Sequence, residues 1–139
     1  MRQVYSGAAA AACLACVGLA ATAVALAGGG RGASVGVTLN EMAISLSESR
    51  VPAGKVTFVA RNAGKTEHEL VVLRMPSSGN FRVAAFKAEE LGKIGEIDGV
   101  LPGKTRRATL ALQPGRYIVI CNVPGHYQLG MRAELVVAG

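Results

Sequence analysis

From residue 35 onward, short runs of β-branched, aromatic and other apolar residues alternate with turns rich in glycine and proline. This pattern predicts short antiparallel strands packed as a sandwich or barrel. The Pro-Gly pairs that begin at Pro102, Pro114 and Pro124 separate the later runs, because proline and glycine favour turns. The expected strands lie near residues 35–39, 42–47, 55–61, 68–74, 105–112, 116–121 and 132–137.

One segment departs from the strand pattern. Between Arg82 and Lys93, the apolar residues Val83, Phe86 and Leu91 are spaced among alanine and glutamate residues, which favour a helix. We therefore predict one short helical excursion from the sandwich in this segment.

The N-terminus is of a different kind, because an Ala-rich apolar run covers residues 8–27 and three glycines follow it. The small residues of Ala25-Leu26-Ala27 resemble a cleavage site, so residues 1–27 are predicted to be a signal peptide. An uncleaved membrane anchor is the alternative, since about 20 apolar residues can span a bilayer. Residues 28–34 are then a Gly-rich linker and residues 35–139 a single domain, which is exported and periplasmic or otherwise extracytoplasmic.

The charge of the chain is moderately positive, with 15 Lys and Arg against 9 Asp and Glu. Because the basic residues form no run, this excess suits a solvated surface or an acidic protein partner and argues against nucleic acid. Beyond residue 27 the chain contains one cysteine, Cys121, and two histidines, His68 and His126. A lone cysteine forms no internal disulfide and is an oxidation liability in an exported protein, so we expect its sulfur to be held by another group.

The most informative segment runs from Cys121 through His126 to Met131, with the spacing C-x4-H-x4-M. Cys121 ends one predicted strand and Met131 precedes the next, so their side chains can converge at one pole. His68 opens the strand at 68–74, and antiparallel pairing of that strand with the one ending at Cys121 would bring His68 beside it. Singly, such residues are more often packing residues, but their occurrence in one set indicates a metal site.

The ligand types identify the metal. One thiolate and two imidazoles in a plane, with a weak axial thioether, suit copper and its Cu(I)/Cu(II) couple, whereas structural zinc usually takes four strong ligands. A site held by a rigid β scaffold changes little on oxidation, which favours electron transfer. Asn122, next to the sulfur, is expected to brace the loop from outside the ligand set by bonding backbone groups. A simple role in the turn is the alternative.

At these residues the sequence resembles the cupredoxins, the small blue copper proteins, and the loop spacing is similar to that of rusticyanin and sulfocyanin. The resemblance implies an all-β Greek-key β-sandwich of seven to eight strands, with one type 1 copper ion near one pole. It places His68, Cys121 and His126 in the plane of the copper and Met131 on its axis. Glu69 departs from the family, in which several relatives have a smaller or amide residue after the first histidine.

The resemblance also implies where partners dock, because the loop histidine of cupredoxins lies near the surface inside an apolar patch. Here that patch would comprise Val123, Pro124, Leu129 and His126, so electrons should enter or leave through His126. The expected partners are a redox protein donor and acceptor, such as a cytochrome or a terminal oxidase. The N-terminal segment is a possible membrane tether.

Two other functions compete with electron transfer. A periplasmic protein that binds or delivers copper in copper homeostasis would use a similar sandwich, but Met- or His-rich tracts are expected in such a protein. Copper enzymes of this fold need further copper sites, and two histidines in one domain leave no residues for them. We therefore expect a blue copper electron carrier that is not an enzyme.

Overall fold

The computed structural model describes residues 32–139, and in that range it contains eleven strands and no helix. No helix in these residues is long and apolar enough to cross a membrane. The predicted signal peptide or anchor and most of the predicted linker lie outside the described residues. The strands are β1 (Ala33–Asn40), β2 (Ala43–Leu46), β3 (Arg50–Pro52), β4 (Gly54–Asn62), β5 (His68–Arg74), β6 (Val83–Ala84), β7 (Lys87–Ala88), β8 (Lys93–Val100), β9 (Thr105–Leu112), β10 (Gly115–Ile120) and β11 (Arg132–Ala138).

The strands form two main sheets that pack face to face. One sheet has the order β2-β1-β4-β9 and the other β3-β11-β10-β5-β8. The hairpin β6-β7 forms a separate two-stranded sheet that is not hydrogen-bonded into either of them. Most neighbours are antiparallel, but β1 pairs with β4 and β3 pairs with β11 in parallel. The predicted all-β sandwich is confirmed, and its sheets are mixed.

Alternation along the strands builds the core between the two sheets. Val35, Val37 and Phe58 from the first sheet pack in one cluster with Leu70 and Leu135 from the second. Each is almost completely buried, and burial of such a side chain contributes roughly 1.5–3 kcal/mol. This cluster is the rigid support on which the metal-site residues stand.

The pairing predicted for the strand that begins at His68 is confirmed. Strand β5 is antiparallel to β10, with Val71 opposite Ile120 and Val72 opposite Val119. This register puts the start of β5 and the end of β10 at the same pole. His68 and Cys121 therefore meet there, although 53 residues separate them in the chain.

The helix predicted between Arg82 and Lys93 is not formed. The segment instead makes the β6-β7 hairpin, whose two-residue turn has both φ angles positive, 49° at Ala85 and 64° at Phe86. Two positive φ angles match the right-handed twist of a tight hairpin, which is unusual without glycine. The prediction failed because apolar spacing cannot show that the chain folds back on a sheet face.

The hairpin and the flanking loops cover the outer face of the second sheet. There, Val71, Leu73, Ile118 and Ile120 form a second apolar cluster with Ala88 and Tyr127. Both faces of β5 and β10 are thus buried, which explains their unbroken apolar sequences. Strands β3 and β8 escaped prediction because β3 is only 3 residues long and β8 carries charged residues and glycines.

Candidate metal centre

Three chain segments converge at the pole where β5 begins and β10 ends. His68 is the first residue of β5, Cys121 follows β10 directly, and His126 lies in the turn-rich loop before β11. The backbone N–H of Glu69 donates a long hydrogen bond, 3.5 Å, to the sulfur of Cys121. The sulfur is therefore tied to the neighbouring strand as well as to its own.

The donor atoms of these three residues face one another. The Cys121 Sγ lies 3.4 Å from Nδ1 of His126 and 3.7 Å from Nδ1 of His68. The two Nδ1 atoms are 3.3 Å apart, and the rings are tilted by 60°. All three donor atoms lie within 4.8 Å of one another, which is close enough for one ion to contact all of them.

Met131 lies next to this group through its backbone. Its carbonyl oxygen accepts a hydrogen bond from the N–H of Cys121, and its own N–H donates to the carbonyl oxygen of His126, both at 3.0 Å. The Met131 side chain is fully buried and belongs to the core between the sheets. The loop thus brings the thioether residue to the same pole as the thiol and the two imidazoles.

Glycines give the loop its path beside two of these residues. Gly125 and Gly130 have φ angles of 87° and 111°, a region in which side-chain-bearing residues are strained. Each precedes one of the candidate ligands, His126 and Met131. The two glycines therefore allow the tight turns that direct both side chains inward.

The side chain of Asn122 is hydrogen-bonded to the segment at 88–90. Its side-chain oxygen accepts a hydrogen bond from the N–H of Ala88, and its amide nitrogen donates to the Ala88 carbonyl and to Glu90. In addition, the N–H of Gly125 donates to the carbonyl oxygen of Phe86. The ligand loop is consequently fastened to the β6-β7 hairpin, which sequence reasoning had treated as a separate excursion.

Glu41 is a site residue that sequence reasoning missed. One oxygen of its carboxylate accepts hydrogen bonds from the N–H groups of Lys65 and Thr66 and from the Thr66 hydroxyl, and lies 3.2 Å from Nε2 of His68. The donors on the Thr66 and Lys65 backbone lower the pKa of Glu41 from 4.5 to about 2, which keeps the carboxylate ionised. No spacing along the chain could reveal it, because 27 residues separate it from His68.

Burial affects the protonation of Cys121 and His126. Desolvation raises the pKa of the Cys121 thiol and lowers the pKa of His126, whose ring also lies close to that of His68. A neutral imidazole and a thiol are the forms that result, and the thiol must lose its proton when a metal binds. The donor set therefore suits a thiophilic metal ion with an affinity for imidazole.

Glu69, which departs from the family pattern, contacts the site through its backbone. Its half-buried carboxyl has a raised pKa because of desolvation, and its backbone N–H is the part that reaches Cys121. The side chain is absent from the group of converging donors formed by His68, Cys121 and His126. The chemistry of that group fits copper, since one sulfur and two imidazole nitrogens suit Cu(I) and Cu(II) alike.

Of the four candidate ligands only His126 has exposed surface, and three apolar residues of its loop are exposed or half-buried. Leu129 is 65% exposed, Pro124 is exposed and Val123 is half-buried. Phe86, which was predicted to lie on a helix, is 70% exposed and lies beside the loop through its hydrogen bond to Gly125. Sequence reasoning missed Phe86 as a surface residue of this pole.

A two-sheet all-β fold with a buried Cys-His-His group and an adjoining methionine defines a small blue copper protein. The profile of the family described as copper binding proteins, plastocyanin/azurin family, matches residues 32–138. Because this match covers well over half of the chain, the protein belongs to that family. The cofactor of this family is one type 1 copper ion, and the residues of the site fit it. The protein is a copper protein of the electron-transfer class. No curated protein sequence matches the chain significantly.

Solved structures of auracyanins and of rusticyanin share the fold. Reduced auracyanin from Roseiflexus castenholzii is 20% identical with a TM-score of 0.60, over 79% of this chain and 100% of its own. Auracyanin A from Chloroflexus aurantiacus, described as a "blue" copper protein, is 22% identical with a TM-score of 0.55, over 75% and 97%. Rusticyanin from Thiobacillus ferrooxidans is 16% identical with a TM-score of 0.61, over 78% of each chain. At these identities the likeness shows the fold alone.

Proposed function

We propose that this protein carries single electrons between extracytoplasmic redox partners, on a copper ion held by His68, Cys121, His126 and Met131. The convergence of Cys121 Sγ with the two Nδ1 atoms, at separations of 3.3–3.7 Å, is the observation that carries the proposal. When bound, copper would supply the redox chemistry by cycling between Cu(I) and Cu(II).

The chain contributes position, burial and a restricted route to the surface. His68, Cys121 and Met131 have no exposed surface, so water is excluded from three of the four proposed ligands. Their backbones are held by the β5-β10 pairing and by the hydrogen bonds within the loop. A site supported in this way reorganises little when the charge on the ion changes, and a small reorganisation favours rapid electron exchange.

Electrons are proposed to enter and leave through His126, since its ring is partly exposed and the other proposed ligands are buried. The surrounding patch consists of Val123, Pro124 and Leu129, as the family resemblance implied, and we add Phe86 to it. The excess of basic residues supports an acidic docking face on the donor or the acceptor, a cytochrome or a terminal oxidase being suitable partners.

The location is part of the same proposal. The Ala-rich run at residues 8–27 supports export, either with cleavage after Ala27 or with retention as a membrane tether. The role proposed is that of a carrier and not of an enzyme, because all the groups of the site are accounted for by one copper ion and its support.

The first test is the visible and electron paramagnetic resonance spectrum of the purified protein after addition of Cu(II), followed by ascorbate. We expect an intense band at about 600 nm, typical of a Cu(II)-thiolate site, that ascorbate bleaches and a mild oxidant restores. A colourless protein that binds only Cu(I) would instead support copper delivery. A protein that binds no copper would overturn the proposal.

The docking patch is tested by replacing Leu129 with serine. We expect the second-order rate constant for electron transfer with an acidic cytochrome to fall about tenfold, because an apolar contact next to His126 is lost. The visible spectrum should not change, since Leu129 is exposed. Leu91→Ser is the matched control, because Leu91 is 71% exposed and lies beyond the β6-β7 hairpin, at the end of β5 opposite His68. Equal rate constants for the two variants would contradict the patch.

A further inference from the structure

The two histidines of the metal centre are held in different ways. His68 is completely buried, and its Nε2 lies 3.2 Å from the carboxylate of Glu41. His126 is partly exposed, and its Nδ1 faces the sulfur of Cys121. The environment of His68 is therefore fixed by a charged side chain, and that charge comes from a part of the chain outside the ligand loop.

Glu41 lies between β1 and β2, and its carboxylate is fixed independently of His68. The backbone N–H groups of Lys65 and Thr66 donate to Oε1 at 2.7 and 2.8 Å, and the Thr66 hydroxyl donates at 2.9 Å. Backbone N–H groups can only donate, so Oε1 acts as an acceptor. The remaining contact, with Nε2 of His68, then requires the imidazole to donate its proton.

This contact determines the orientation of the ring. An imidazole that donates through Nε2 and is neutral has a free lone pair on Nδ1. The Nδ1 atom of His68 points at Cys121 Sγ and at His126 Nδ1, 3.7 and 3.3 Å away. A carboxylate that accepts a hydrogen bond from the remaining N–H of a metal-binding histidine also makes the other ring nitrogen a stronger electron-pair donor to the metal.

We infer that Glu41 is a positioning residue of the metal centre, whose carboxylate orients His68 with Nδ1 inward and places a negative charge against that ligand. The inference rests on the proposed copper site. A negative charge so close stabilises Cu(II) more than Cu(I), because the oxidised ion carries one more positive charge. The expected consequence is a lower reduction potential and a higher affinity for Cu(II).

The test compares the full-length protein with its Glu41→Gln variant. The amide oxygen of glutamine can still accept the proton of His68, so the substitution removes mainly the charge. We expect the blue band to persist, the reduction potential to shift upward and the dissociation constant for Cu(II) to rise about 10- to 100-fold. The measurements are a redox titration followed by absorbance and a competition titration with a chelator.

Two control variants separate the charge at His68 from other effects. Glu48→Gln removes the same charge from an exposed residue at the opposite end of β2. Thr66→Val removes one hydrogen bond of the same carboxylate but keeps its charge. Neither control should move the potential as Glu41→Gln does. An equal shift in Thr66→Val would assign the effect to loosening of the loop, and equal potentials in Glu41→Gln and Glu48→Gln would overturn the inference.

A measurement without copper checks the orientation directly. In the metal-free protein, long-range ¹H–¹⁵N spectra of the imidazoles should show His68 protonated at Nε2. Protonation at Nδ1 would overturn the inference even if the copper site is correct. A wild-type protein that forms no blue site, but shows the Nε2 proton, would refute the proposed function and leave the role of Glu41 toward His68 standing.

Discussion

Replacement of Cys121 by serine is expected to abolish the band at about 600 nm, since that band requires charge transfer from a thiolate to Cu(II). Serine is similar in size to cysteine, so the core around this fully buried residue should tolerate it. Loss of the Cys121 sulfur, which faces both imidazoles, should also weaken copper binding by roughly 100-fold or more, since even residues that only support a ligand change metal affinity about 10- to 100-fold. Absorbance and a copper titration measure both effects.

Met131→Leu is the matched control for this result. Leucine fills nearly the same volume in the core but has no thioether sulfur. We expect this variant to keep the blue band and to show a shifted reduction potential, because the axial ligand tunes the potential without producing the colour. If Cys121→Ser retained an intense visible band, the assignment of Cys121 as the thiolate ligand would be wrong.

Replacement of Asn122 by alanine is expected to lower the free energy of unfolding by about 1–3 kcal/mol, because a buried N–H of Ala88 loses its acceptor. The Ala88 carbonyl and the carboxylate of Glu90 lose a donor in the same substitution. Since these bonds tie the ligand loop to the β6-β7 hairpin, the paramagnetic resonance parameters of the copper site should change as well. Urea denaturation followed by fluorescence or circular dichroism measures the stability.

Asn80→Ala provides the comparison, because Asn80 is an exposed asparagine in the loop after β5. Its effect should stay within about 0.5 kcal/mol, as for most surface substitutions. An Asn122→Ala protein as stable as Asn80→Ala would show that the loop does not depend on the hairpin. An unchanged resonance spectrum in a destabilised protein would limit the role of Asn122 to folding.

The hairpin links these predictions to the docking surface. It covers the outer cluster around Val71 and Ile118. It both donates a hydrogen bond to Asn122 and accepts one from it, accepts another from Gly125, and presents Phe86 to solvent beside the loop. A single element thus supports the ligand loop from behind and extends the apolar surface in front of it. Substitutions in the hairpin are therefore expected to affect both stability and electron transfer.

The sequence by itself determined the sandwich and the candidate ligands. Period-two alternation with Pro-Gly turns is a local property of the chain, and it predicted seven of the strands. The spacing of Cys121, His126 and Met131 is also local. The approach of His68 to Cys121 was predicted on the condition that their two strands pair antiparallel, because such pairing brings the start of one strand to the end of the other. These features could be predicted because each depends on residues close in sequence or on one pairing.

Tertiary structure alone decided the surroundings of the site. Glu41 contacts His68 from the turn between β1 and β2, which belong to the other sheet, and Asn122 contacts Ala88 across 34 residues. Neither contact leaves a signal in the spacing of residues along the chain. The segment at 82–93 has the composition of a helix, yet it forms a hairpin whose backbone is hydrogen-bonded to Asn122 and Gly125 of the ligand loop, while Phe86 and Leu91 stay exposed. Local helix preferences are worth a few tenths of a kcal/mol per residue, whereas leaving the buried side chain of Asn122 without partners would cost roughly 1–3 kcal/mol, so these long-range contacts prevail.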